Sequence, residues 1–333
     1  MDFYQLGLAL AGSTDYAARR VMKWSGKGRK NEADHEAVFA MRDYLDGLKE
    51  RFIVLIGEGE KDQAPQLFAG ERLGLKDGEP EIDLVVDPLE CTTNFARGLH
   101  DSMSVIMAAP HGKIPPIPGT YMTQFLLPPG PAAEFLSDMP TSEVLDMSTK
   151  DLMRLVAEKN GSSPSDFVVV VQDRPRHTEL IESLRSLGAG VALIESGSIS
   201  AGTEILLRKG GRWSMMAGTY GAPEGLVLAF MARISGGYFA GRIAPHDPLF
   251  ARKTRELGLE DKALAAHEWC PVDGCLVLTG VHSSTFLHGV EMAGGARTES
   301  LLWSKEGLHF LNHSDGRLTS AQQIEYLQGS RSR

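Results

Sequence analysis

Residues 85–94 read VVDPLECTTN. An apolar run from Ile82 to Val86, broken only by Asp83, stops at Asp87. A proline, a second carboxylate, a thiol and two hydroxyls then crowd the same few positions. Runs of β-branched and apolar residues that end this sharply are strands. Pro88 fixes its own φ and keeps Asp87 extended, so Asp87 and Glu90 can converge at the strand end with the Thr92 hydroxyl beside them. The plainer alternative is a capping or turn motif, in which these side chains serve only the local backbone.

A second strand end has the same character. Phe52 to Ile56 is apolar and runs into GEGEKDQAP, residues 57–65. The glycines let the chain turn, so that Glu58, Glu60 and Asp62 can be presented at the edge. Oxygen ligands gathered there suit Mg²⁺ or Mn²⁺. A solvated acidic turn is the competing reading, but two acidic strand ends in succession favour a multi-metal cluster. Such a cluster binds phosphate, acidifies a water and stabilises a leaving oxygen.

The flanking pattern is that of an α/β protein. Residues 5–25 and 32–49 are expected helices, the second with Val38, Met41, Leu45 and Leu48 returning every three or four positions. Residues 64–73 are expected as a helix with Pro65 early in it. After IPPIPG (114–119), strands at 167–171, 191–194 and 213–217 alternate with helices at 177–187, 199–207 and 224–234. This arrangement stacks α and β layers. Strands are expected again near 275–280, 298–303 and 308–312, and a short helix near 320–327. The polar stretch around 140–165 suggests an internal boundary, dividing residues 1–150 from 151–333, with the C-terminal strands returning to the first half.

Composition narrows the function. The chain has 333 residues, 42% hydrophobic and 23% charged, with a net charge of −9. That is an ordinary globular balance and a poor one for a nucleic-acid binder. Three cysteines (Cys91, Cys270, Cys275) form no zinc pair or disulfide framework, which points to a reducing, cytoplasmic setting. No apolar run approaches membrane-spanning length, and the first residues carry no basic segment of the kind a signal peptide has.

Three weaker motifs complete the set. KGRKNEAD (27–34) leads basic residues into a helix whose first turns hold Asp34; it is not a P-loop, because G-x-x-x-x-G-K-[ST] is absent. DRPRH (173–177) places Arg174 and Arg176 around Pro175 just after a strand, and arginine forks match phosphate oxygens. GAPEG (221–225) opens a helix at Glu224 after another strand. Each has a local explanation as a helix-dipole partner or a solvated turn. His35, His100, His177 and His246 are read as structural, since no H-E-x-x-H or other zinc spacing appears. No G-x-S-x-G elbow appears either.

In this order, GEGEKDQAP, DPLECTT, TYM (120–122), RPRH (174–177) and GAPEG resemble the class II fructose-1,6-bisphosphatases. KWSGKGRKNEADHEAVFAMR (23–42), GRIAPHD (241–247) and TESLLW (298–303) extend the likeness over nearly the whole chain. The resemblance implies the lithium-sensitive sugar and inositol phosphatase superfamily and a layered α/β/α/β/α sandwich. It implies metal ligands at Asp34, Glu58, Asp87, Glu90 and Glu224 for two or three Mg²⁺ or Mn²⁺ ions. Asp62 and Thr92 become a dyad that orients and deprotonates the attacking water, and Lys30 assists at the phosphate. Glu90, Cys91, Thr92, Tyr121, Arg174, Pro175, Arg176, Ser196, Gly197, Ser198 and Gly221 line the substrate. A sugar phosphate is the implied partner, in a homo-oligomer (dimer or tetramer).

The chain departs from the family pattern at named positions. Cys91 stands where the family has glycine, a pocket substitution or, alternatively, a redox switch. Ser196-Gly197-Ser198 replaces Asp-Gly-Asp, and Arg174 replaces lysine. The catalytic half is thus intact while the substrate half has drifted, which predicts a different or longer sugar phosphate. The competing hypothesis is a non-catalytic sugar-phosphate sensor on the same fold.

Overall fold

A computed structural model of the chain describes residues 1–57, 66–207 and 212–324. Along the chain run α1 (Phe3–Val21), α2 (Lys30–Asp46), β1 (Arg51–Ile56), β2 (Arg72–Gly74), β3 (Ile82–Glu90), α3 (Thr92–Arg97) and β4 (Met103–Pro110). Then come β5 (Tyr121–Leu127), α4 (Pro131–Ser137), α5 (Thr141–Asp146), α6 (Thr149–Lys159), β6 (Val168–Gln172), α7 (Thr178–Ser186), β7 (Gly190–Ile194) and α8 (Ser198–Leu207). The remainder is β8 (Met215–Gly221), α9 (Ala222–Ser235), β9 (Tyr238–Ala244), α10 (Pro248–Glu256), β10 (Ala263–Ala265), α11 (Ala266–Trp269), β11 (Cys275–Gly280), β12 (Arg297–Ser304), β13 (Gly307–Ser314) and β14 (Arg317–Ile324). The α/β class expected from the sequence is observed: two mixed sheets, each with helices packed on it.

The first unit comprises residues 1–114 and 273–324. Its sheet has the order β14-β13-β12-β11-β4-β3-β1-β2, with β1 and β3 parallel and the other pairs antiparallel. α1 and α2 bury Leu10, Met41 and Leu45 against Phe52, Leu84, Val277 and Leu302. Burying such side chains is the main driving force, at about 1.5–3 kcal/mol each.

A polar seam is buried in the same packing. Ser13, Thr14 and Asp15 on α1 are at most 1% exposed. The Thr14 hydroxyl lies 2.6 Å from that of Thr279, which lies 2.6 Å from that of Ser300. Asp15 accepts from Thr298 at 2.6 Å and from Arg19 at 2.9 Å. Buried polar groups must be paired, so this seam sets where α1 sits on β11 and β12.

The second unit comprises residues 115–272. Its sheet has the order β10-β9-β5-β8-β6-β7, with β6 parallel to both β7 and β8. The chain enters it through the Pro-rich 114–119 stretch. The polar stretch at 140–165 lies within this unit as α5 and α6, with Val144, Met153 and Val156 in the core, so the units divide at 114/115 and 272/273 rather than at 150/151.

Two expected helices do not form among the described residues: 66–71 are turns that lead into a strand, and 320–324 are strand. Arg72–Gly74 pairs antiparallel with β1, and Phe52 faces Leu73. The apolar spacing there reflects two separate burials, Leu67 in a turn with φ of 52° and Leu73 in the strand. Residues 64 and 65 lie outside the described residues. At the C-terminus, Asp315 and Gly316 both have positive φ (48° and 79°) and join β13 to β14 in a two-residue hairpin of the Asp-Gly type. That pairing overrides the helical spacing at 320–324.

β13 also carries His309 and His313, which are 8% and 4% exposed. His309 packs its ring 4.5 Å from Tyr4 on α1, and burial lowers its pKa against a smaller raising by Glu306. His313 faces Asp15 and Arg19; burial dominates and holds its pKa below the ordinary 6.5. A histidine depressed in the fold takes up a proton on unfolding. Stability is therefore complete above about 6.5 and falls as pH drops below it. The urea midpoint is expected to be lower at pH 5.5 than at pH 7.5, and His309→Phe, which keeps a ring against Tyr4, should flatten that dependence.

Candidate active site

In the first unit the site grows from the end of β3. The strand continues past Asp87 to Glu90, and its register against β4 shifts between those two residues. A bulge is where a central strand tolerates proline, which accounts for Pro88. The Leu89 N–H donates to Asp87 Oδ1 at 3.1 Å, tying the first carboxylate to the bulge. Glu90 is 7% exposed. A carboxylate that buried needs charge or hydrogen-bond compensation.

Cys91 is the single residue between β3 and α3, and its backbone is left-handed (φ 66°, ψ 40°). Glycine takes this conformation freely, while other L-residues take it at a cost of roughly 1–2 kcal/mol. Its side chain is 4% exposed. Thr92 follows as the first residue of α3, with its hydroxyl donating to the Leu89 carbonyl at 3.3 Å. Lys30, the first residue of α2, donates to the Thr93 hydroxyl at 2.6 Å. Asp34 stands one turn further along α2, which packs on both β3 and α3.

Glu58 and Asp62 lie outside the described residues. Among the described residues, no three His, Cys, Asp or Glu side chains are grouped as a metal site. Asp34, Asp87 and Glu90 offer only hard oxygen donors, a set that fits Mg²⁺ or Mn²⁺ and does not favour zinc.

In the second unit the candidate residues gather at one sheet edge. β6, β7 and β8 are parallel in sense, so the loops after them (173–177, 195–198 and 221–224) leave from the same end. Tyr121, the first residue of antiparallel β5, pairs there with Gly221. Loops at the carboxyl ends of parallel strands are the usual place for a ligand.

Each arginine is held by backbone carbonyls. Arg174 donates to the carbonyls of Asp173 and Glu195, both at 2.8 Å, which brings it to the turn carrying Ser196, Gly197 and Ser198. Arg176 donates to the Thr219 carbonyl (3.0 and 2.8 Å) and to Gln172 Oε1 (2.7 Å), and its guanidinium lies 4.6 Å from the Tyr121 ring centre. Pro175 opens the short 3₁₀ turn that separates them. Both arginines are exposed.

Glu224 sits in the first turn of α9, which begins with Ala222. A Cβ on Gly221 would collide with the Glu224 carboxylate. The glycine therefore leaves the space that the carboxylate occupies. Its carbonyl also accepts from Gln124 Nε2 at 3.0 Å.

Two histidines belong to this edge although sequence spacing alone gave them no role there. His177 Nδ1 donates to the Gln172 carbonyl at 2.7 Å, and its Nε2 accepts from the Thr219 N–H at 2.8 Å. Burial and the adjacent Arg176 and Arg174 push its pKa down, so the ring is a neutral strut between β6 and β8. His246 lies 5.1 Å from the Tyr121 ring, and its Nδ1 is 2.9 Å from the Thr120 hydroxyl. His177 closes RPRH and His246 lies in GRIAPHD, and those motifs were the available signal.

The family described as bacterial fructose-1,6-bisphosphatase, glpX-encoded, matches residues 4–310. This chain belongs to it. By family it is a phosphoric monoester hydrolase. The D-fructose 1,6-bisphosphatase class 2/sedoheptulose 1,7-bisphosphatase of Microcystis aeruginosa is 33% identical over 329 residues, covering 90% of this chain and 92% of the relative. The protein of that description from Crocosphaera subtropica is 34% identical over 333 residues with the same coverage. A solved structure, the extragenic suppressor protein suhB from Bartonella henselae, is 12% identical and superposes with a TM-score of 0.35, covering 60% of this chain and 71% of its own. Among the described residues no helix is long and apolar enough to cross a membrane.

The left-handed turn at Cys91 is a conformation that glycine takes freely and cysteine only under strain. Cys91→Gly removes that strain but adds chain entropy to the unfolded state, a term of about 0.5–1 kcal/mol. Its unfolding free energy should stay within about 1 kcal/mol of the native protein's, while Cys91→Val, β-branched in a left-handed site, should cost about 2 kcal/mol or more. In the folded protein the buried thiol should resist maleimide until denaturant is added. For Gly221→Ala, displacement of Glu224 should lower kcat on the order of 100-fold with little change in Tm.

Proposed function

We propose that this protein hydrolyses one phosphomonoester of a sugar bisphosphate. Support comes from the turn at Cys91, which sets Thr92 at the head of α3 directly after the Asp87 and Glu90 carboxylates, with Lys30 at hydrogen-bonding distance from Thr93. The relatives are named for fructose 1,6-bisphosphate and sedoheptulose 1,7-bisphosphate, which gives the substrate class.

The reaction adds water across a P–O bond, giving an alcohol and inorganic phosphate. A threonine hydroxyl is too weakly acidic to be a base by itself. With Asp62 accepting its proton, the Thr92 oxygen is turned toward the water and takes up a water proton as the new P–O bond forms. For this the Thr92 hydroxyl must leave the Leu89 carbonyl, and at 3.3 Å that bond is long and easily exchanged. Lys30 supplies positive charge at the phosphate. Mg²⁺ or Mn²⁺ held by Asp34, Glu58, Asp87, Glu90 and Glu224 would neutralise phosphate oxygens and acidify the water.

The second phosphate and the sugar are assigned to Arg174, Arg176 and the residues beside them. Arg174 and Arg176 are exposed yet anchored through backbone carbonyls, so little side-chain freedom is lost when they bind an anion. Binding energy from that remote phosphate can be spent on alignment at the reacting one. Ser196 and Ser198 are short neutral hydroxyls beside Arg174, and they leave room and polarity for a longer sugar than two carboxylates would.

Phosphate release tests this directly, with sugar mono- and bisphosphates of five to eight carbons. Release should require Mg²⁺ or Mn²⁺, stop with a chelator and return on adding the metal. Thr92→Ala and Glu90→Gln should each lower kcat by roughly 10²- to 10⁴-fold. A seven-carbon or longer bisphosphate should have a higher kcat/KM than fructose 1,6-bisphosphate. Preference for fructose 1,6-bisphosphate over the whole panel would sink the substrate argument, and unchanged turnover in Thr92→Ala would sink the mechanism.

A further inference from the structure

His282 lies just beyond β11, on none of the motifs discussed above. Its Nδ1 is 2.6 Å from the Leu99 carbonyl, which can only accept, so the proton is on Nδ1. Its Nε2 is then a lone pair, and the Ser25 hydroxyl donates to it at 2.7 Å. Burial lowers the pKa of the ring, in keeping with this neutral form. The ring also stacks on Phe95 of α3, with centroids 5.0 Å apart and planes 27° from parallel.

These contacts tie together two segments that carry the proposed chemistry. Ser25 begins the loop that ends at Lys30. That loop is zipped to α3 by two backbone bonds, Gly26 N–H to the Phe95 carbonyl (3.1 Å) and Gly28 N–H to the Ala96 carbonyl (2.9 Å). α3 has Thr92 at one end and runs into Leu99 at the other. A Cβ on Gly98 would lie 3.5 Å from the Gly26 Cα, so the two strands of chain touch. His282 itself is anchored independently, with its N–H and that of Val281 both donating to the Ser102 carbonyl.

We infer that His282 is a positioning residue for phosphate-ester hydrolysis, gripping the 25–28 loop and α3 so that Lys30 and Thr92 keep a fixed spacing. The inference rests on the proposed roles of those two residues. The ring touches no substrate; it acts through Ser25 and Phe95. Small displacements of aligned groups lower turnover more than binding.

The test is a double-mutant cycle in the full chain with steady-state kinetics. Ser25→Ala removes the hydroxyl and leaves the ring in place. His282→Asn keeps a donor for Leu99 but loses Ser25. Each should lower kcat roughly 10-fold or more with KM within about two-fold, and the double variant should be no worse than the poorer single one. In Ser25→Ala, hydrogen exchange should quicken at the Gly26 and Gly28 amides while Tm stays within a few degrees. Unchanged kcat in Ser25→Ala, or fully multiplicative losses in the double variant, would overturn the inference. If Thr92→Ala keeps wild-type turnover, the reading of the site has failed instead. Exchange at Gly26 and Gly28 then reports separately whether the ring grips the loop, and unaltered exchange refutes the grip.

Discussion

The candidate residues of the first unit depend on one reversal of direction. β3 ends at Glu90, α3 begins at Thr92, and Cys91 alone joins them. Cys91 makes that reversal in a single left-handed residue. The bulge just before it shortens the path further, because the register slips between Asp87 and Glu90 around Pro88. Two carboxylates, a helix start and a threonine hydroxyl are thereby compressed into six residues. If the turn were relaxed into two or three residues, Thr92 would no longer head a helix beside Glu90. The strain at Cys91, about 1–2 kcal/mol for a non-glycine residue, is offset by the burial of its side chain and by that of Phe95 on the helix it starts.

The second unit reaches a comparable end by the opposite means. β8 also runs straight into a helix, with Gly221 as the N-cap of α9 and Glu224 in its first turn. Here the backbone at the junction is ordinary, and what matters is the missing side chain: the carboxylate fills the place a Cβ would take. One junction needs a residue that accepts an unusual φ, and the other needs a residue with no volume. Glycine would satisfy either demand. Cysteine can meet the first at a cost, whereas a Cβ at position 221 would meet the Glu224 carboxylate.

The parts legible in the sequence were those whose causes are local. β1, β3 and α2 follow from apolar runs and spacing within a dozen residues, and the acids of DPLECTT and GAPEG are conspicuous because they follow strands. The Arg72–Gly74 strand was hidden because its pairing with β1 depends on residues twenty positions away, while its apolar spacing mimics a helix turn. The hairpin at Asp315-Gly316 is legible in principle, since Asp-Gly between two strands is a strong local signal, but the residues after it also suit a short helix. The return of β11 beside β4 has no local signature, since antiparallel registers such as Val277 opposite Ile106 are settled only when the sheet forms. For the same reason the boundary near 150 could not be corrected from composition: the core, with Met153 and Val156 in it, decides which unit a polar stretch joins.

What stayed illegible longest was the role of the histidines. His177 and His282, one in each unit, are wired in the same sense: Nδ1–H to a backbone carbonyl, Nε2 accepting from a donor elsewhere. A neutral imidazole is well suited to this. It is rigid, it has one donor and one acceptor on opposite edges, and it spans a gap that an amide side chain would fill with more rotamer freedom. Burial lowers the pKa of each ring, which favours the neutral form that has one donor and one acceptor. The partners of His282 lie 183 and 257 positions away in the chain, a separation at which no spacing rule operates. The acids of such a site advertise themselves by clustering. The histidines that brace the chain beside them are paired across the sequence, and those pairings become visible only when the chain is folded.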